Sequence, residues 1–289
     1  MFYTGNNAVF MRLLAFRKRL IRIKKKRRIA VFTIKKYVLA DDLSEAYALK
    51  KKNKNNVILG GNLWLRMGDR SIQNGIDLSR LPLDQLEEEG DSFCIGCMCN
   101  LRELETNKEL NSYFQGAIRE ALRHIVGVQF RNCATVGGSL FPRFGFSDVL
   151  TIMLALDSYV ELYDRGVIPM KEFAALPVDD DILTTVFIKK DNRRVSYQSH
   201  RITETDFAVL TCAVSCYEGN YSVVLGARPK QALLIDQVPL TDPWNADEVE
   251  EFINQVVAQV EFGSNMRGSK EYRQALAKVL IRRGIEEVR

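Results

Sequence analysis

The chain is organised around RNCATVGGSL, residues 131–140, which is followed by FSDVL at residues 146–150. The Ala-Thr-Val run favours a β-strand, the glycines Gly137 and Gly138 predict a tight turn, and an amphipathic pattern predicts a helix a few residues later. Adjacent glycines have no Cβ atoms, so their backbone N–H groups can turn inward and form a small nest for phosphate oxygens. The stretch therefore predicts a strand, an anion-binding glycine turn and a helix.

A second glycine pair repeats this pattern earlier in the chain. Residues 57–59 are apolar and strand-like, and Gly60 and Gly61 follow directly, ahead of a short helical segment. One glycine pair after a strand is common in turns, but two such pairs can face each other across a pyrophosphate. The residues alone predict a cofactor that carries phosphate groups, and they leave its identity open.

The net charge of the chain depends on its first residues. The 289 residues suffice for two domains, and 46% of them are hydrophobic. Residues 1–30 contain ten basic side chains and no acid, so the rest of the chain has 31 of the 41 basic residues against 36 acidic ones. This remainder is acidic overall, which does not support a nucleic-acid partner.

Residues 1–30 are predicted to be a disordered basic extension. Apolar residues are interleaved with its cations, so a basic amphipathic helix at a membrane surface or a partner is the alternative. The sequence contains no run of 18 apolar residues and no recognisable secretory signal, so no transmembrane segment is expected. Six cysteines without a secretion signal favour a reducing compartment, and the expected location is the cytoplasm.

The pattern along the rest of the chain changes from mixed helices and strands to hairpins. Apolar residues at helical spacing predict one long helix over 108–126, and Ser147 is predicted to begin a second. After Pro177, the predicted strands are 182–188, 194–200, 206–217 and 221–225, and the predicted helices are 247–262 and 269–284. We therefore expect an α+β protein with domains at 31–178 and 179–289.

Other motifs that can carry chemistry are weak. The cluster CIGCMC at residues 94–99 has no second cysteine pair or histidine at ligand spacing, so it predicts buried thiols rather than a metal site. His124 and His200 accompany no nucleophile, so a hydrolytic triad has no support. The segment GSNMRGSK at residues 263–270 is not a P-loop, because its Lys follows the Ser instead of preceding it. The sequence also contains no G-x-G-x-x-G, so a Rossmann dinucleotide site is not indicated.

An ordered series of motifs resembles the FAD-binding subunit, or flavoprotein domain, of the molybdenum hydroxylases of the xanthine dehydrogenase and carbon monoxide dehydrogenase type. That family reads A-G-G-T/H-x-L, then Q-x-R-N-x-A-T-I-G-G-N, then S/G-D-L/V-x-P-x-L-x-A-L-D-A, and the counterparts here are residues 59–63, 129–139 and 147–157. The motifs R-x-x-x-D-F-A, L-G-G/A-x-x-x-x-P-x-R/K-A and G-S-x-E-Y-R-R-x-L-A resemble residues 201–208, 225–232 and 268–277. The resemblance covers the chain from about Val31 to its end.

This resemblance implies an N-terminal FAD-binding domain of two α/β subdomains, of the vanillyl-alcohol-oxidase-like (PCMH) type. A smaller C-terminal domain with an antiparallel sheet and helices is expected to follow, with FAD between the two. The residues expected at the cofactor are Val57, Ile58, Leu59, Gly60, Gly61, Asn62, Leu63, Trp64, Ile125, Thr135, Val136, Gly137, Gly138, Ser139, Asp148, Leu183 and Tyr197. Of these, Ile125, Asp148, Leu183 and Tyr197 rest on the resemblance alone.

The implied function is electron transfer by an oxidoreductase subunit. Electrons are expected to pass from 2Fe–2S clusters on a small partner subunit through FAD to NAD⁺ or another acceptor, while a molybdopterin-binding large subunit performs the hydroxylation. No catalytic residue is expected on this chain, because the redox chemistry belongs to the cofactors. Ser139 replaces the family's usual Asn and the run 62–64 departs from the family pattern. The alternative is therefore a non-catalytic scaffold or assembly protein with the same fold and weakened flavin binding.

Overall fold

The structure, a computed structural model, describes residues 32–289, and the basic extension predicted at residues 1–30 lies outside the described residues. The strands are β1 (Thr33–Leu39), β2 (Val57–Leu59), β3 (Ser71–Asp77), β4 (Leu86–Glu89), β5 (Ser92–Gly96), β6 (Ser158–Leu162), β7 (Gly166–Pro169), β8 (Leu183–Lys189), β9 (Arg194–His200), β10 (Leu210–Tyr217), β11 (Asn220–Gly226) and β12 (Leu233–Ile235). The helices are α1 (Leu43–Lys52), α2 (Leu101–Thr106), α3 (Lys108–Tyr113), α4 (Ala117–Arg123), α5 (Val128–Arg131), α6 (Val136–Leu140), α7 (Asp148–Ala155), α8 (Met170–Ala175), α9 (Ala246–Ala258) and α10 (Lys270–Val288). None of these described helices is both long and apolar enough to cross a membrane. The combination of separate sheets and helices confirms the predicted α+β class.

The first sheet is small and parallel, with the strand order β1-β3-β2. Helix α1 connects β1 to β2, as a parallel arrangement requires. Asp42 caps the helix, because its carboxylate accepts the Glu45 N–H (2.7 Å), and the Glu45 carboxylate in turn accepts the Asp41 N–H (2.9 Å). β2 ends at Leu59, so the first glycine pair lies at the carboxyl edge of this sheet.

The second sheet contains five antiparallel strands in the order β4-β5-β8-β6-β7. Its central strand, β8, pairs with β5 on one side and β6 on the other. The predicted domain boundary at residue 178 would separate β8 from both of these strands. Pro177 lies in a loop within the first domain and does not mark its end. The hydrogen bonds place the division after Lys189 instead.

The single helix predicted over 108–126 is wrong, because the chain forms α3 and α4 with a turn at Gly116 (φ 81°) between them. Buried Asn111 explains the interruption. Its Nδ2 donates to the Leu104 carbonyl (2.8 Å) and its Oδ1 accepts the Arg119 N–H (2.8 Å). These side-chain bonds satisfy backbone groups that a continuous helix would pair differently. The apolar spacing is the same on both pieces, so it does not reveal the break.

The third sheet is antiparallel, in the order β12-β11-β10-β9, and both of its faces are covered. Helices α9 and α10 pack on one face, where α10 approaches β10 so closely at Gly284 that a Cβ would overlap the Val214 side chain. Helix α7, whose residues are all buried, packs on the other face and joins this sheet to the core of the first domain. Asp148, the first residue of α7, therefore lies where the two domains meet.

Candidate functional site

A cavity of about 490 Å³ opens where β2 ends. Its wall includes the first glycine loop, which we define as residues 60–64, and most of the second glycine segment, which we define as residues 135–139. Strand β2 supplies a further part of the wall, and Leu183 at the start of β8 supplies another. The fold thus brings both glycine pairs to one cavity.

The first glycine loop presents backbone donors that the protein itself does not use. The N–H groups of residues 60–64 donate to no acceptor within the described chain, residues 32–289. Regular hydrogen bonding starts again only in the following 3₁₀ turn, where the Arg66 N–H donates to the Asn62 carbonyl (3.1 Å). A run of free N–H groups beside a cavity is an arrangement that binds phosphate oxygens.

The second glycine segment is helical, and this corrects two predictions. Thr135 caps α6, with its hydroxyl accepting the Gly138 N–H (3.1 Å), so the Ala-Thr-Val run is not a strand. The Gly137 N–H donates to the Cys97 carbonyl (2.8 Å). The nest of free donors predicted at these two glycines therefore does not form. Threonine has a high strand propensity but is also a preferred N-cap, and the contact with Cys97 decides between the two.

The glycines allow each of the two segments to approach a neighbouring part of the chain very closely. A Cβ on Gly61 would overlap the carbonyl oxygen of Cys133, and a Cβ on Gly137 would lie 2.9 Å from the Cβ of Cys97. A side chain at Gly61 would push the first glycine loop away from Cys133, and one at Gly137 would push the second glycine segment away from Cys97. The absence of a side chain at Gly61 and Gly137 thus serves the close packing that shapes the cavity.

A second cavity, of about 120 Å³, adjoins the first, and Trp64, Phe130, Ser139 and Phe144 line both. Its apolar wall includes Ile125, and its polar wall includes Asp148 and Arg201. The two domains both contribute, since Arg201 follows β9. This second cavity combines a mainly apolar surround with one charged side.

Four aromatic rings, which we name the aromatic cluster, lie where the cavities adjoin: Trp64, Phe144, Phe146 and Phe207. Trp64 stacks on Phe207 with ring centroids 5.9 Å apart, and it contacts Phe146 at 5.1 Å. Phe144 and Phe146 stack on each other at 5.0 Å. Phe207 belongs to the second domain, so the aromatic cluster fixes the first glycine loop against that domain.

Two side chains of the second domain, Tyr197 and Arg201, bind the carboxylate of Asp148. The Tyr197 hydroxyl donates to Asp148 Oδ1 (2.6 Å), and Arg201 forms an ion pair with the same oxygen. Burial raises the pKa of Asp148 although Arg201 and Tyr197 favour its carboxylate form. Burial, together with the neighbouring Asp148 charge, also raises the pKa of Tyr197 well above its usual value, so Tyr197 remains a hydrogen-bond donor at neutral pH.

The structure places almost all of the predicted site residues at these two cavities. Those at the first cavity are Val57, Ile58, Leu59, Gly60, Gly61, Asn62, Leu63, Trp64, Thr135, Gly137, Gly138, Ser139 and Leu183, and those at the second include Ile125 and Asp148. Val136 is fully buried, and Tyr197 lies behind Asp148. The predictions missed Arg201, Phe144, Phe146 and Phe207. For Arg201 and Phe207, the resemblance of residues 201–208 to R-x-x-x-D-F-A is the one sequence signal, and it assigns neither residue a role.

Asn62 has two unusual properties for a residue of the first glycine loop. Its backbone is in the left-handed region (φ 58°), which an asparagine tolerates. Its side-chain Oδ1 is buried and has no hydrogen-bond partner among the described residues. A buried acceptor without a donor costs free energy, so a donor from a bound molecule would stabilise this loop.

The cysteines of the cluster at residues 94–99 are free thiols, and their burial predicts how they react with an alkylating reagent. Burial raises the pKa of Cys97 and of Cys99 to about 12, and both are buried, whereas Cys133 is exposed. Since the thiolate is the reactive form, we expect iodoacetamide at pH 8 to label Cys133 and to leave Cys97 and Cys99 unmodified. Both stay protected until the pH approaches 12 or the protein unfolds. Peptide mass spectrometry after labelling in buffer and in urea checks this.

Rapid labelling of Cys97 in folded protein would contradict the prediction. Within residues 32–289, no three or more histidine, cysteine, aspartate or glutamate side chains lie together as a metal ion would require.

Two family models match the chain. The model described as the FAD binding domain in molybdopterin dehydrogenase matches residues 30–190, which is more than half of the chain. The model described as the CO dehydrogenase flavoprotein C-terminal domain matches residues 195–288. The two matches meet where the hydrogen bonds divide the sheets.

Several known proteins are similar to this chain over most of its length. The protein YgfM of Escherichia coli K12 is 26% identical over 256 residues, which is 86% of this chain and 94% of that protein. The nicotine 6-hydroxylase medium subunit of Paenarthrobacter nicotinovorans is 26% identical over 275 residues, covering 87% and 96%. A chain of carbon monoxide dehydrogenase from Hydrogenophaga pseudoflava has the same fold, with a TM-score of 0.79, 20% identity and coverage of 88% and 96%.

Proposed function

This chain belongs to the family of FAD-binding subunits of the molybdopterin dehydrogenases, and from this membership we propose that it binds FAD across its two cavities and transfers electrons. The observation that carries the proposal is the run of free N–H groups in the first glycine loop, within the segment that matches the FAD-binding model. Family members are subunits of oxidoreductases. The redox chemistry itself is supplied by FAD when it is bound.

The residues present fit a flavin nucleotide. Five consecutive backbone donors at residues 60–64 suit a pyrophosphate, and the unpartnered Oδ1 of Asn62 suits a hydroxyl donor such as those of the sugar chain. The aromatic cluster and Ile125 provide flat apolar surfaces for a fused ring system. Asp148, Tyr197 and Arg201 provide polar contacts for one edge of that ring.

The chain's own contribution is to hold, orient and enclose the cofactor. The first glycine loop fixes the phosphates, while the residues just before the second glycine segment support that loop through the Gly61–Cys133 contact. The aromatic cluster keeps water away from the ring. No residue of the site is needed as an acid, base or nucleophile, in agreement with a role in electron transfer.

We infer that the electrons come from 2Fe–2S clusters on a small partner subunit and originate at a molybdopterin-binding large subunit. Two observations support partner chains: the relatives include proteins named as medium subunits or chains, and residues 32–289 contain no cysteine set that would hold a cluster. NAD⁺ or another acceptor then receives the electrons. The cytoplasm is the compartment that suits six free thiols.

Tryptophan fluorescence tests FAD binding directly, because the chain has only two tryptophans. Trp64 lines both cavities, whereas Trp244 is 70% exposed in the second domain. In a Trp244→Phe protein all emission comes from Trp64, and we expect saturating FAD to quench at least about half of it, since the flavin ring would lie against the indole. A protein with Trp64→Phe alone is the control, and FAD should quench its Trp244 emission less than it quenches Trp64. Unchanged Trp64 emission at all FAD concentrations would overturn the proposed function.

The Asn62 side chain gives a second prediction. We expect Asn62→Gly to weaken FAD binding about tenfold, roughly 1.4 kcal/mol, because the free Oδ1 acceptor is removed while glycine keeps the left-handed backbone. Glu218→Gly, at an exposed position with φ 49°, is the matched control and should bind FAD like the wild type. Isothermal titration with FAD measures both. Equal affinities of Asn62→Gly and the wild type would show that Oδ1 receives no bond from the cofactor.

The aromatic cluster is the observation that favours the alternative, a scaffold protein that does not hold FAD. The four rings already contact one another between the two cavities, and in a scaffold protein these contacts would take the place of contacts with a flavin ring. If the wild-type protein retains no flavin absorbance after incubation with FAD and desalting, but Trp64→Leu does, the scaffold function is supported.

A further inference from the structure

One charged side chain of the second cavity is left incompletely paired by the fold. Arg201 is nine-tenths buried, with 7% of its side chain exposed, and it lines this cavity. Its Nη1 donates to the Asp206 carbonyl (2.6 Å) and its Nη2 pairs with Asp148. Its Nε–H has no acceptor among the described residues, and water does not reach it. A buried guanidinium with a spare donor is unusual, because such donors are nearly always satisfied.

The pairing of Arg201 keeps its charge at the cavity. Asp148 is itself fixed by the Tyr197 hydroxyl and by its position at the start of α7, which is buried. The Asp206 carbonyl holds the other end of the guanidinium fork. Asp148 belongs to the first domain, whereas Tyr197 and the Asp206 carbonyl belong to the second. The guanidinium is therefore held in this position only when the two domains are packed together.

The rest of the cavity wall indicates the shape of the molecule that would supply an acceptor. Ile125, Val149, Phe146, Phe207 and the indole of Trp64 surround the charged side with apolar and aromatic surface. A flat heteroaromatic ring with carbonyl oxygens on one edge satisfies both parts of this wall. The isoalloxazine of FAD is such a ring, since its pyrimidine edge carries two carbonyl groups and its remaining surface is largely apolar.

We propose that Arg201 positions and tunes the flavin, and that a small movement of its side chain on binding brings its Nε–H to an acceptor on the pyrimidine edge of the isoalloxazine. This inference rests on the proposed function. When the flavin takes up two electrons from a reductant and one proton from water, the ring is left with one negative charge, which lies mainly on that edge. A fixed positive charge beside it stabilises the reduced ring more than the oxidised ring. Arg201 therefore raises the midpoint potential of the bound flavin.

The test is a spectroelectrochemical titration of the FAD-loaded protein with dithionite as reductant. Arg201→Lys keeps a positive charge beside Asp148 but removes the Nε–H, and we expect the preference for reduced over oxidised flavin to fall about tenfold, which is about 30 mV for a two-electron couple. Arg201→Gln removes the charge as well and should lower this preference further. Arg267→Lys is the control, because Arg267 pairs with Asp206 and does not line the cavity, so its potential should equal that of the wild type.

The outcomes separate the two proposals. A wild-type protein that binds no FAD ends the proposed function before any variant is measured. If the wild type binds FAD and Arg201→Lys has the same potential and affinity, the inference is wrong and Arg201 only anchors Asp148. If Arg201→Gln does not fold, Arg201→Lys decides alone. Loss of FAD from an Arg201→Lys protein with the wild-type circular dichroism spectrum and melting temperature supports the contact.

Discussion

The Gly61→Ala protein is expected to lose FAD binding and about 3 kcal/mol of its free energy of unfolding. A Cβ at residue 61 would overlap the carbonyl oxygen of Cys133, which belongs to the backbone and cannot rotate away. The first glycine loop must then move away from Cys133, which lies just before the second glycine segment. This displaces its five unpaired N–H groups from their place beside the cavity, so we expect FAD affinity to fall by at least about a hundredfold, roughly 2.7 kcal/mol.

Gly68→Ala is a control for this substitution in the same part of the chain. Gly68 follows the 3₁₀ turn with an extended backbone (φ −113°), and the nearest atom to its added Cβ is 3.8 Å away. Urea unfolding and FAD titration of both variants measure the two effects. If Gly61→Ala and Gly68→Ala behave alike, the close packing of Gly61 on Cys133 does not shape the site.

The second large effect is expected from Arg131→Met, which should destabilise the protein by about 3–5 kcal/mol. Arg131 and Glu105 form a bidentate buried ion pair, with Nε to Oε2 at 2.6 Å and Nη2 to Oε1 at 3.2 Å. Both side chains are more than nine-tenths buried. Removing the cation leaves the carboxylate buried without its main partner. It also frees the Ile125 carbonyl, which Arg131 Nη1 binds at 3.1 Å, so the wall of the second cavity should loosen.

Two comparisons identify the cause of that effect. The double variant Glu105→Leu with Arg131→Met removes both charges and should recover most of the lost stability. Arg282→Met breaks an exposed pair with Glu250 and should cost less than about 1 kcal/mol. Urea unfolding at pH 7 measures all three proteins. A double variant that is as unstable as Arg131→Met would show that packing, not the unpaired charge, is responsible.

The same pair predicts a dependence of stability on pH. Burial alone would raise the pKa of Glu105, but hydrogen bonds from Arg131 and Arg102 outweigh it, and the pKa is lowered in the fold. A lowered carboxyl pKa stabilises the folded state above the pKa of the unfolded chain, about 4.3. That stability is lost as the pH falls through the lower, folded value. The double variant should therefore lose less stability than the wild type between pH 5 and pH 3.

The sequence predicted the strands and helices of the second domain well because local signals agree with tertiary packing there. Residues 194–200 form the strand that was predicted, and the Glu218-Gly219 turn joins β10 to β11 in the predicted hairpin. In the first domain, side chains distant in sequence decide the local structure. Asn111 breaks a continuous apolar pattern, and Cys97 draws the second glycine segment into a helix. No local rule contains those partners.

The candidate site shows the same division. Both glycine pairs were recognisable, because glycine pairs mark places where the backbone must approach something closely. The sequence predicts free N–H donors at both pairs, but the structure has them only at Gly60 and Gly61. Whether a glycine N–H stays free depends on where the neighbouring carbonyl groups lie, and the local sequence does not contain that information. The aromatic cluster joins residues 64, 144, 146 and 207, and no periodicity links these positions.

The doubly covered sheet of the second domain has a consequence for how the protein is made. Val195, Tyr197, Ala213 and Val224 belong to the second domain but complete the core of the first. When only residues 32–190 have emerged from the ribosome, the core of the first domain therefore still lacks these side chains on one side. Cofactor loading has to wait until the strands up to Gly226 have left the exit tunnel, and until then the nascent chain exposes an apolar face that chaperones would recognise.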